Sequence, residues 1–347
     1  MGSNRVAEDP RIDPRIKAVF GAGDLSFDFG DVDSREQLIE LANSPDAVAQ
    51  REMFTAMGES CDTEELAPSN GLVVTEHRVV SEPDGNMVNI RYIRPDSRDV
   101  LPCVYYIHGG GMTEASCYNG FYRAWARIIA ANGVAVAMID FRNALVPSSV
   151  DEVAPFPAGL NDCVSGVKWV AAHHDELGVD PDHIVVAGES GGGNLTLATG
   201  LRLKRDGDLG IVKGLYAMCP YIAGMWPSPD SPSSVENNGI LLDLRGNRGA
   251  MGYGIEAFES RNPLAWPAFA IEDDVRGMVP TMISVNECDP LRDEGINFYR
   301  LLVRAGVAAR CRQVMGTVHG TEVFLTCPDI SRDTAASIAD FARRAGT

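Results

Sequence analysis

A serine, an acidic residue and a histidine in this chain could together carry out nucleophilic acyl transfer. Ser190 lies in the run Gly188-Glu189-Ser190-Gly191-Gly192, which has the G-x-S-x-G pattern of a nucleophile held in a tight turn. A short apolar run, Ile184 to Ala187, precedes it, and a segment typical of a helix follows it. Such a strand–turn–helix unit lifts the serine hydroxyl out of the sheet at a helix N-terminus. Ser190 is therefore the candidate nucleophile.

A serine hydroxyl needs a base before it can attack, and histidine is the usual one. In sites built on a strand–turn–helix unit, the acid and then the histidine follow the nucleophile along the chain. The chain has six histidines, and only His319 lies after Ser190. It follows the last predicted apolar strand, at the edge of the sheet where the nucleophile turn also lies. We predict that His319 is the general base.

The third member of such a site is a carboxylate that orients the imidazole and stabilises its charged form. Glu287, Asp289 and Asp293 all follow a predicted strand that ends near Asn286. We favour Asp289 because it lies three residues past the strand and Pro290 fixes the turn behind it. Glu287 is the competing candidate.

A glycine run, His108-Gly109-Gly110-Gly111, directly follows another apolar strand, Cys103 to Ile107. Glycines let backbone N–H groups turn towards a substrate oxygen with no Cβ in the way. We predict an oxyanion hole made by the N–H groups of Gly110, Gly111 and Gly191. His108 is expected to hold this loop by hydrogen bonding.

The elements that must position these groups alternate along the chain from Cys103 onwards. Near-continuous apolar strands are separated by amphipathic helices, which predicts an α/β fold with a mostly parallel sheet covered by helices on both faces. Leu72 to Val80 and Met87 to Ile93 alternate in polarity instead, which predicts an antiparallel pair at one edge of the sheet.

Two regions fall outside this alternation. Ser34 is predicted to cap one helix, and a second helix is predicted from Pro45 to Met57. A Pro/Ser/Asn-rich stretch, residues 227–238, opens a long excursion later in the chain. We predict that residues 1–70 and 223–268 form a helical cap, and that residues 71–222 and 269–347 form the two parts of the α/β core.

Composition limits the possible partners. The formal net charge is −18, which argues against nucleic acid as a ligand. The eight cysteines show no C-x-x-C pairing and are interpreted as free thiols. We predict no membrane span, because no apolar run is long enough, and a cytoplasmic location, because no signal-peptide core precedes the first helices. The run His173-His174-Asp175-Glu176 is interpreted as a solvated helix end, so no metal and no cofactor are expected.

In combination these motifs resemble the hormone-sensitive-lipase family of α/β-hydrolases. The resemblance rests on HGGG, GESGGGN, Asn262-Pro263-Leu264, the run from Asp289 to Gly295 and the late His319-Gly320. It implies an α/β-hydrolase fold, a cap, and ester hydrolysis by Ser190, Asp289 and His319, usually on short to medium acyl chains. The chain departs from the family pattern at Glu189, Gly191 and Met112, and in a longer segment from Asn143 to Ala154.

We predict a serine esterase that acts on a small-molecule ester as a monomer or homodimer. Met112, Trp226 and Phe324 are predicted to line the substrate pocket, because each lies near a catalytic segment. The alternatives are a non-catalytic small-molecule receptor on the same fold, and an amidase or thioesterase variant that uses the same machinery. A lipase acting at lipid interfaces is disfavoured, because the excursion is acidic and rich in proline and serine.

Overall fold

A single eight-stranded sheet forms the centre of the molecule in the computed structural model, which describes residues 4–22 and 30–346. The strands are β1 Leu72–Val80, β2 Met87–Pro95, β3 Leu101–Ile107, β4 Ala135–Asp140, β5 Val179–Glu189, β6 Gly214–Met218, β7 Thr281–Asn286 and β8 Ala309–Val314. Their order across the sheet is β1-β2-β4-β3-β5-β6-β7-β8. The pairings of β1 with β2 and of β2 with β4 are antiparallel, and all later pairings are parallel. The predicted sheet, with its antiparallel pair at one edge, is confirmed.

The central strands are buried on both faces, which explains why their sequences are almost continuously apolar. Neighbouring residues of β3 show the arrangement. Tyr105 belongs to the apolar cluster on one face of the sheet, and Tyr106 belongs to the cluster on the other face. Side chains in a strand point alternately to opposite faces, so both faces here must be covered by helices.

Helices follow most strands and supply that cover. They are α1 Arg5–Glu8, α2 Pro14–Phe20, α3 Arg35–Ala42, α4 Pro45–Cys61, α5 Gly120–Ala130, α6 Ala158–Ala172, α7 His174–Leu177, α8 Gly191–Asp206, α9 Ser233–Glu236, α10 Arg248–Tyr253, α11 Ile255–Glu259, α12 Glu272–Val275, α13 Arg292–Arg304, α14 Thr321–Phe324 and α15 Pro328–Arg344. Helices α6, α8 and α13 contribute to the apolar cluster on one face, and α5 and α15 contribute to the cluster on the other.

In its described residues, the segment before β1 contains four helices, of which α3 and α4 were predicted and α1 and α2 were not. Ser34 caps α3 as expected, with its hydroxyl accepting the Gln37 N–H at 3.1 Å. The second predicted helix, α4, continues four residues beyond Met57. Parts of the predicted cap segment 1–70, namely residues 1–3 and 23–29, lie outside the described residues.

The N-terminal segment contacts the excursion after β6, as two parts of one cap would. Asn247 accepts the Val32 N–H at 3.0 Å and returns its amide to the Val32 carbonyl at 2.8 Å. Arg248 donates to the Gly30 carbonyl at 2.9 Å. These contacts join the two segments, while the division of the chain into cap and core stays a prediction.

None of the helices within residues 4–22 and 30–346 combines the length and the apolar character that a membrane span needs. The eight cysteines are all free thiols, and six of them are buried. Their location inside the packed core agrees with the interpretation of small apolar residues without disulfide bonds.

Candidate active site

Ser190 occupies a strained turn between β5 and α8. Its backbone has φ 56° and ψ −119°, a positive-φ conformation that residues other than glycine rarely adopt. The Ser190 N–H donates to the Met218 carbonyl at 3.0 Å. A Cβ on Gly188 would lie 2.5 Å from the Gly192 carbonyl oxygen, and a Cβ on Gly192 would collide with a β3 carbonyl. The predicted turn is present, and close packing of backbone on backbone requires glycine on both sides of it.

The glycine loop after β3 passes directly against the start of α8. A Cβ on Gly191 would lie 2.8 Å from the Gly111 nitrogen and 2.6 Å from the Met112 nitrogen. Gly110, Gly111 and Met112 all have positive φ, at 94°, 61° and 60°. Among the residues that the structure describes, neither Gly110 nor Gly111 donates its N–H to a protein acceptor. Gly191 is the first residue of α8, whose N–H has no partner within the helix. The three predicted oxyanion donors therefore come together.

The longer segment from Asn143 to Ala154 braces this glycine loop. The Ala144 N–H donates to the Met112 carbonyl at 2.9 Å, and the N–H groups of Leu145 and Val146 donate to the Thr113 carbonyl at 3.1 and 2.9 Å. The backbone bonds satisfy carbonyls that a tight loop would otherwise leave unpaired. This departure from the family pattern thus fixes the loop that carries Gly110 and Gly111.

His108 is buried beneath the same loop. Its ring stacks on Phe141 at a centroid distance of 4.3 Å, and its Nδ1 donates to the Gly109 carbonyl at 2.9 Å. Asp140 lies 3.5 Å from its Nε2. Burial acts to raise the pKa of Asp140, but His108 and the Ser149 N–H outweigh it and lower that pKa to about 2. These contacts agree with the predicted loop-holding role of His108.

His319 and Asp289 form a buried hydrogen-bonded pair beyond the ends of β8 and β7. His319 Nδ1 lies 2.8 Å from Asp289 Oδ2, and the other carboxylate oxygen accepts the Leu291 N–H at 2.9 Å. Burial acts to lower the pKa of His319, but the adjacent Asp289 carboxylate prevails and raises that pKa well above its ordinary value. The pair has the geometry by which a carboxylate orients an imidazole and stabilises its charged form.

The other carboxylates after β7 have different partners. Glu287, the competing acid, accepts the Gly316 N–H at 2.7 Å. Asp293 accepts the Ser233 N–H at 2.7 Å and pairs with Arg292. The geometry therefore favours Asp289 over Glu287 as the partner of His319.

Cys219 is adjacent both to the histidine–aspartate pair and to the strand end that binds the Ser190 turn. It was not identified from the sequence. Its thiol lies beside the histidine–aspartate pair, with its sulfur, one His319 ring nitrogen and one Asp289 oxygen all within 4.8 Å of one another. It directly follows Met218, whose carbonyl accepts the Ser190 N–H. Within the described residues this is the one group of three possible metal ligands. Two of its members, His319 and Asp289, are hydrogen-bonded to each other.

Two further polar residues near the site also escaped prediction. Asn237, in the excursion after β6, donates its amide to the carbonyls of Glu287 and Asp289, each at 3.1 Å. Glu322, three residues past His319, is buried and accepts the Asn286 amide at 3.1 Å. Polar residues are common in loops and in short helices alike, so neither sequence position carried a signal.

The three predicted pocket residues have different surroundings. Met112 is only 1% exposed and belongs to the main apolar cluster. Phe324 is half-buried and meets Phe20, Phe54 and Phe121, with ring centroids 5.4 to 5.8 Å apart. This aromatic group links α2 and α4 of the N-terminal segment to α14, just after His319.

Trp226 is held by a buried carboxylate. Its ring N–H donates to Glu294 at 2.9 Å, and the same carboxylate accepts the Ile222 N–H at 2.6 Å. Burial raises the pKa of Glu294 to about 8. Trp226 also packs on Tyr221, whose N–H donates to the Ser190 carbonyl at 3.0 Å. It is therefore linked to the nucleophile turn through one intervening residue.

Comparison with known proteins agrees with this geometry. Residues 104–323 match the family model described as alpha/beta hydrolase fold. Among solved structures, the esterase Est22 is 69% identical with a TM-score of 0.97, and the match covers 99% of this chain and 100% of that one. Est22 has also been solved with p-nitrophenol. Brefeldin A esterase, a bacterial homologue of human hormone-sensitive lipase, is 35% identical with a TM-score of 0.87, over 97% of this chain and 94% of that one.

Comparison by sequence alone also finds a relative that is a carboxylesterase. Carboxylesterase NlhH of Mycobacterium tuberculosis is 32% identical over 269 residues, which are 73% of this chain and 76% of the relative. The sheet, the strained serine turn and these matches together confirm the predicted resemblance. The chain belongs to the α/β-hydrolases, as an esterase of the hormone-sensitive-lipase family.

Proposed function

We propose that the chain hydrolyses carboxylic esters of short to medium acyl length through Ser190, His319 and Asp289. Ser190 Oγ attacks the ester carbonyl carbon while His319 Nε2 takes its proton. The tetrahedral oxyanion accepts hydrogen bonds from the N–H groups of Gly110, Gly111 and Gly191. His319 then protonates the leaving alkoxide, and water cleaves the acyl-enzyme by the same route.

One observation carries the proposal: the buried 2.8 Å contact between His319 Nδ1 and Asp289, at the sheet edge where Ser190 has its strained turn. Such a contact fixes the tautomer that leaves Nε2 free to accept the serine proton. The raised pKa of His319 agrees with an imidazole that becomes charged during the reaction. Relatives named carboxylesterase and esterase support an ester as substrate.

The substrate would enter between the core and a cap made of residues 1–70 and 223–268. The hydrogen bonds between Val32 and Asn247 support the view that these two segments act together. Of the predicted pocket residues, Phe324 has the best support, because it is half-buried and closely follows His319. Met112 and Trp226 would shape the pocket from within the packed interior, since both are almost fully buried. A cytoplasmic location and a monomeric or homodimeric state stay predictions.

Ser190→Ala tests the nucleophile. We expect kcat on a p-nitrophenyl ester to fall by about 10⁴-fold or more, because the residual rate comes only from binding and the oxyanion donors. A serine-directed organophosphate should label the wild-type chain at Ser190 and should not label the variant. Activity close to that of the wild type in Ser190→Ala would contradict the proposal.

An acyl-chain series tests the substrate class. Rates on p-nitrophenyl esters should be highest for short to medium chains and should fall where the chain exceeds the pocket. Matched amide and thioester substrates distinguish the amidase and thioesterase alternatives, which use the same machinery. A receptor without catalysis would bind esters without turnover, and organophosphate labelling would then fail.

A further inference from the structure

Glu189, the residue directly before Ser190, is a buried carboxylate with no part in the chemical steps above. It is only 4% exposed and is one of the positions at which the chain departs from the family pattern. None of the ion pairs formed within residues 4–22 and 30–346 includes it. A carboxylate in the core is costly unless hydrogen-bond donors satisfy it, so its partners should show why it is there.

Three donors converge on this carboxylate. Oε1 accepts the Gly109 N–H at 2.8 Å and the Tyr122 hydroxyl at 2.6 Å, and Oε2 accepts the Tyr106 hydroxyl at 2.6 Å. The Gly109 N–H also lies 2.9 Å from the Tyr122 oxygen. Gly109 has no room for a side chain, because a Cβ there would collide with Glu189 Oε1. The carboxylate is therefore packed against the glycine loop as well as bonded to it.

These contacts connect the two backbone segments that would hold the substrate oxygen. Gly109 directly precedes the donors Gly110 and Gly111, and Glu189 directly precedes Ser190 and Gly191. The parallel pairing of β3 with β5 ends at the aligned pair Ile107 and Gly188, so the strands bring the two segments side by side. The glycine loop after Ile107 lies beyond this pairing. The hydrogen bond from the Gly109 N–H to Glu189 connects that loop to the serine turn.

Burial raises the pKa of Glu189, while the hydroxyls of Tyr106 and Tyr122 act to lower it. In all three contacts a protein N–H or O–H donates to a carboxylate oxygen of Glu189, and a carboxylate can accept all of them. The Gly109 N–H can only donate, so the atom at the Oε1 position must be an acceptor. A glutamine could meet this condition with its amide oxygen and donate its nitrogen to the Tyr106 oxygen, so removal of the whole side chain is the stronger test of these contacts.

We propose that Glu189 is a positioning residue for ester hydrolysis, which fixes the glycine loop relative to Ser190 so that the three oxyanion donors converge on one oxygen. This inference rests on the proposed function, since it assigns a role to a neighbour of the proposed nucleophile. Interactions that hold oxyanion donors act mainly in the transition state. Their loss should therefore lower kcat and leave KM nearly unchanged.

Four variants measure the effect. Glu189→Ala, which removes all three contacts, should lower kcat by about 10- to 100-fold, the range that a displacement of about 1 Å of a catalytic group produces. Tyr122→Phe should lower kcat by a smaller factor, because Gly109 keeps its bond to Glu189. Tyr106→Phe removes a bond only to Glu189 and should lower kcat by a still smaller factor. Glu189→Asp should also lower kcat, because the shorter side chain cannot reach the Gly109 N–H and both hydroxyls together.

Tyr105→Phe is the matched control. Tyr105 neighbours Tyr106 on the same strand and is equally buried, but its hydroxyl donates to the Cys163 carbonyl at 3.0 Å on the opposite face of the sheet. Loss of that bond should lower the melting temperature much as Tyr106→Phe does, while kcat stays within about 2-fold of the wild type. The comparison of Tyr105→Phe with Tyr106→Phe also keeps the test decisive if Glu189→Ala fails to fold.

A transition-state analogue separates positioning from general damage to the fold. A trifluoromethyl ketone that adds to Ser190 places an oxyanion in the hole, so its inhibition constant should rise in proportion to the loss of kcat/KM in Glu189→Ala. Unchanged kcat and inhibition constant in that variant would overturn the inference, as would equal losses of kcat in Tyr105→Phe and Tyr106→Phe. Organophosphate labelling of Ser190 in the wild-type chain is a separate result, whose failure would instead remove the proposed function.

Discussion

The turns after β3 and β5 and the turns after β7 and β8 form two halves of the site that are built in different ways. We call residues 109–112 with 188–192 the backbone half, and residues 287–293 with 316–322 the side-chain half. The backbone half depends on positive φ angles and on glycines that are packed against carbonyl groups. The side-chain half depends on hydrogen bonds such as those of Asp289 with His319 and of Glu287 with Gly316.

The difference indicates how each half should respond to mutation. A Cβ added at Gly110, Gly188 or Gly192 in the backbone half must displace main chain, which a well-packed interior resists. A functional group removed from the side-chain half leaves the backbone in place and takes away one orienting contact. We therefore expect losses in the side-chain half to depend on which group is removed. In the backbone half, apart from the side chains of Ser190 and Glu189, we expect them to depend on where volume is added.

Asp289→Asn should have the largest effect in this comparison. An amide cannot hold His319 in the required tautomer as the carboxylate does, so kcat should fall by about 10⁴-fold with the fold intact. Steady-state kinetics on a p-nitrophenyl ester, with circular dichroism as the check on folding, provides the measurement.

Glu287→Gln is the matched control for that prediction. Its side chain follows the same strand, but it contacts the Gly316 N–H rather than the histidine, so kcat should fall by less than about 10-fold. If Glu287→Gln were the damaging change and Asp289→Asn the mild one, the acid would have been assigned to the wrong residue.

Gly110→Ala should have the next largest effect and tests the backbone half. The new Cβ would collide with the Glu114 carbonyl at a position where φ is +94°. Because displacement of the loop removes oxyanion donors, kcat should fall by about 10²- to 10³-fold while KM changes little.

Gly207→Ala provides the comparison for that variant. Gly207 also has positive φ, at +82°, but nothing lies within 4 Å of a Cβ there. The substitution should cost about 1 kcal/mol of unfolding free energy with no change in kcat. Equal effects of the two variants on kcat would show that backbone strain alone, and not the position of the loop, accounts for the loss.

The smallest effect is a shift in pH dependence. In the proposed mechanism His319 must be neutral to accept the serine proton, and its pKa lies well above the ordinary value of 6.5. Activity should therefore fall as the pH drops through that raised pKa, so the acidic limb of the kcat/KM profile should lie above pH 6.5. In Asp289→Asn the carboxylate is gone and burial continues to lower the pKa, so the residual activity should show an acidic limb at lower pH. An unmoved limb in that variant would mean that Asp289 does not set the pKa of the base.

The same contrast explains what could be predicted from the sequence. The backbone half was predictable because few residues other than glycine fit at positions such as 110 and 192, so the geometry leaves a mark in the sequence. His319 followed from chain order alone. Asp289 was preferred over Glu287 on turn position and family resemblance. Spacing alone separates them weakly, because both are carboxylates just past the same strand and the three-dimensional path decides which one meets the imidazole.

Contacts between residues that are far apart in the sequence could not be predicted, because they produce no local sequence pattern. Cys219 reads as one more apolar residue of a buried strand, and nothing local indicates that its thiol adjoins His319. Glu189 reads as a conservative variant of aspartate until Tyr106 and Tyr122 are seen to enclose its carboxylate. Helices α1 and α2 also escaped prediction because they are short, and helices of that length are stabilised by tertiary contacts rather than by their own sequence.

Loop grafting is a natural route to new substrate preference in such an enzyme, and one side chain limits it here. Asn237 lies in the excursion after β6, yet its amide binds the main-chain oxygens on both sides of Cys288, next to the acid. A transplanted excursion that lacks an equivalent donor would loosen the turn that carries Asp289, whatever its effect on substrate preference. Any swap of this region should therefore keep the asparagine or supply another amide at that point.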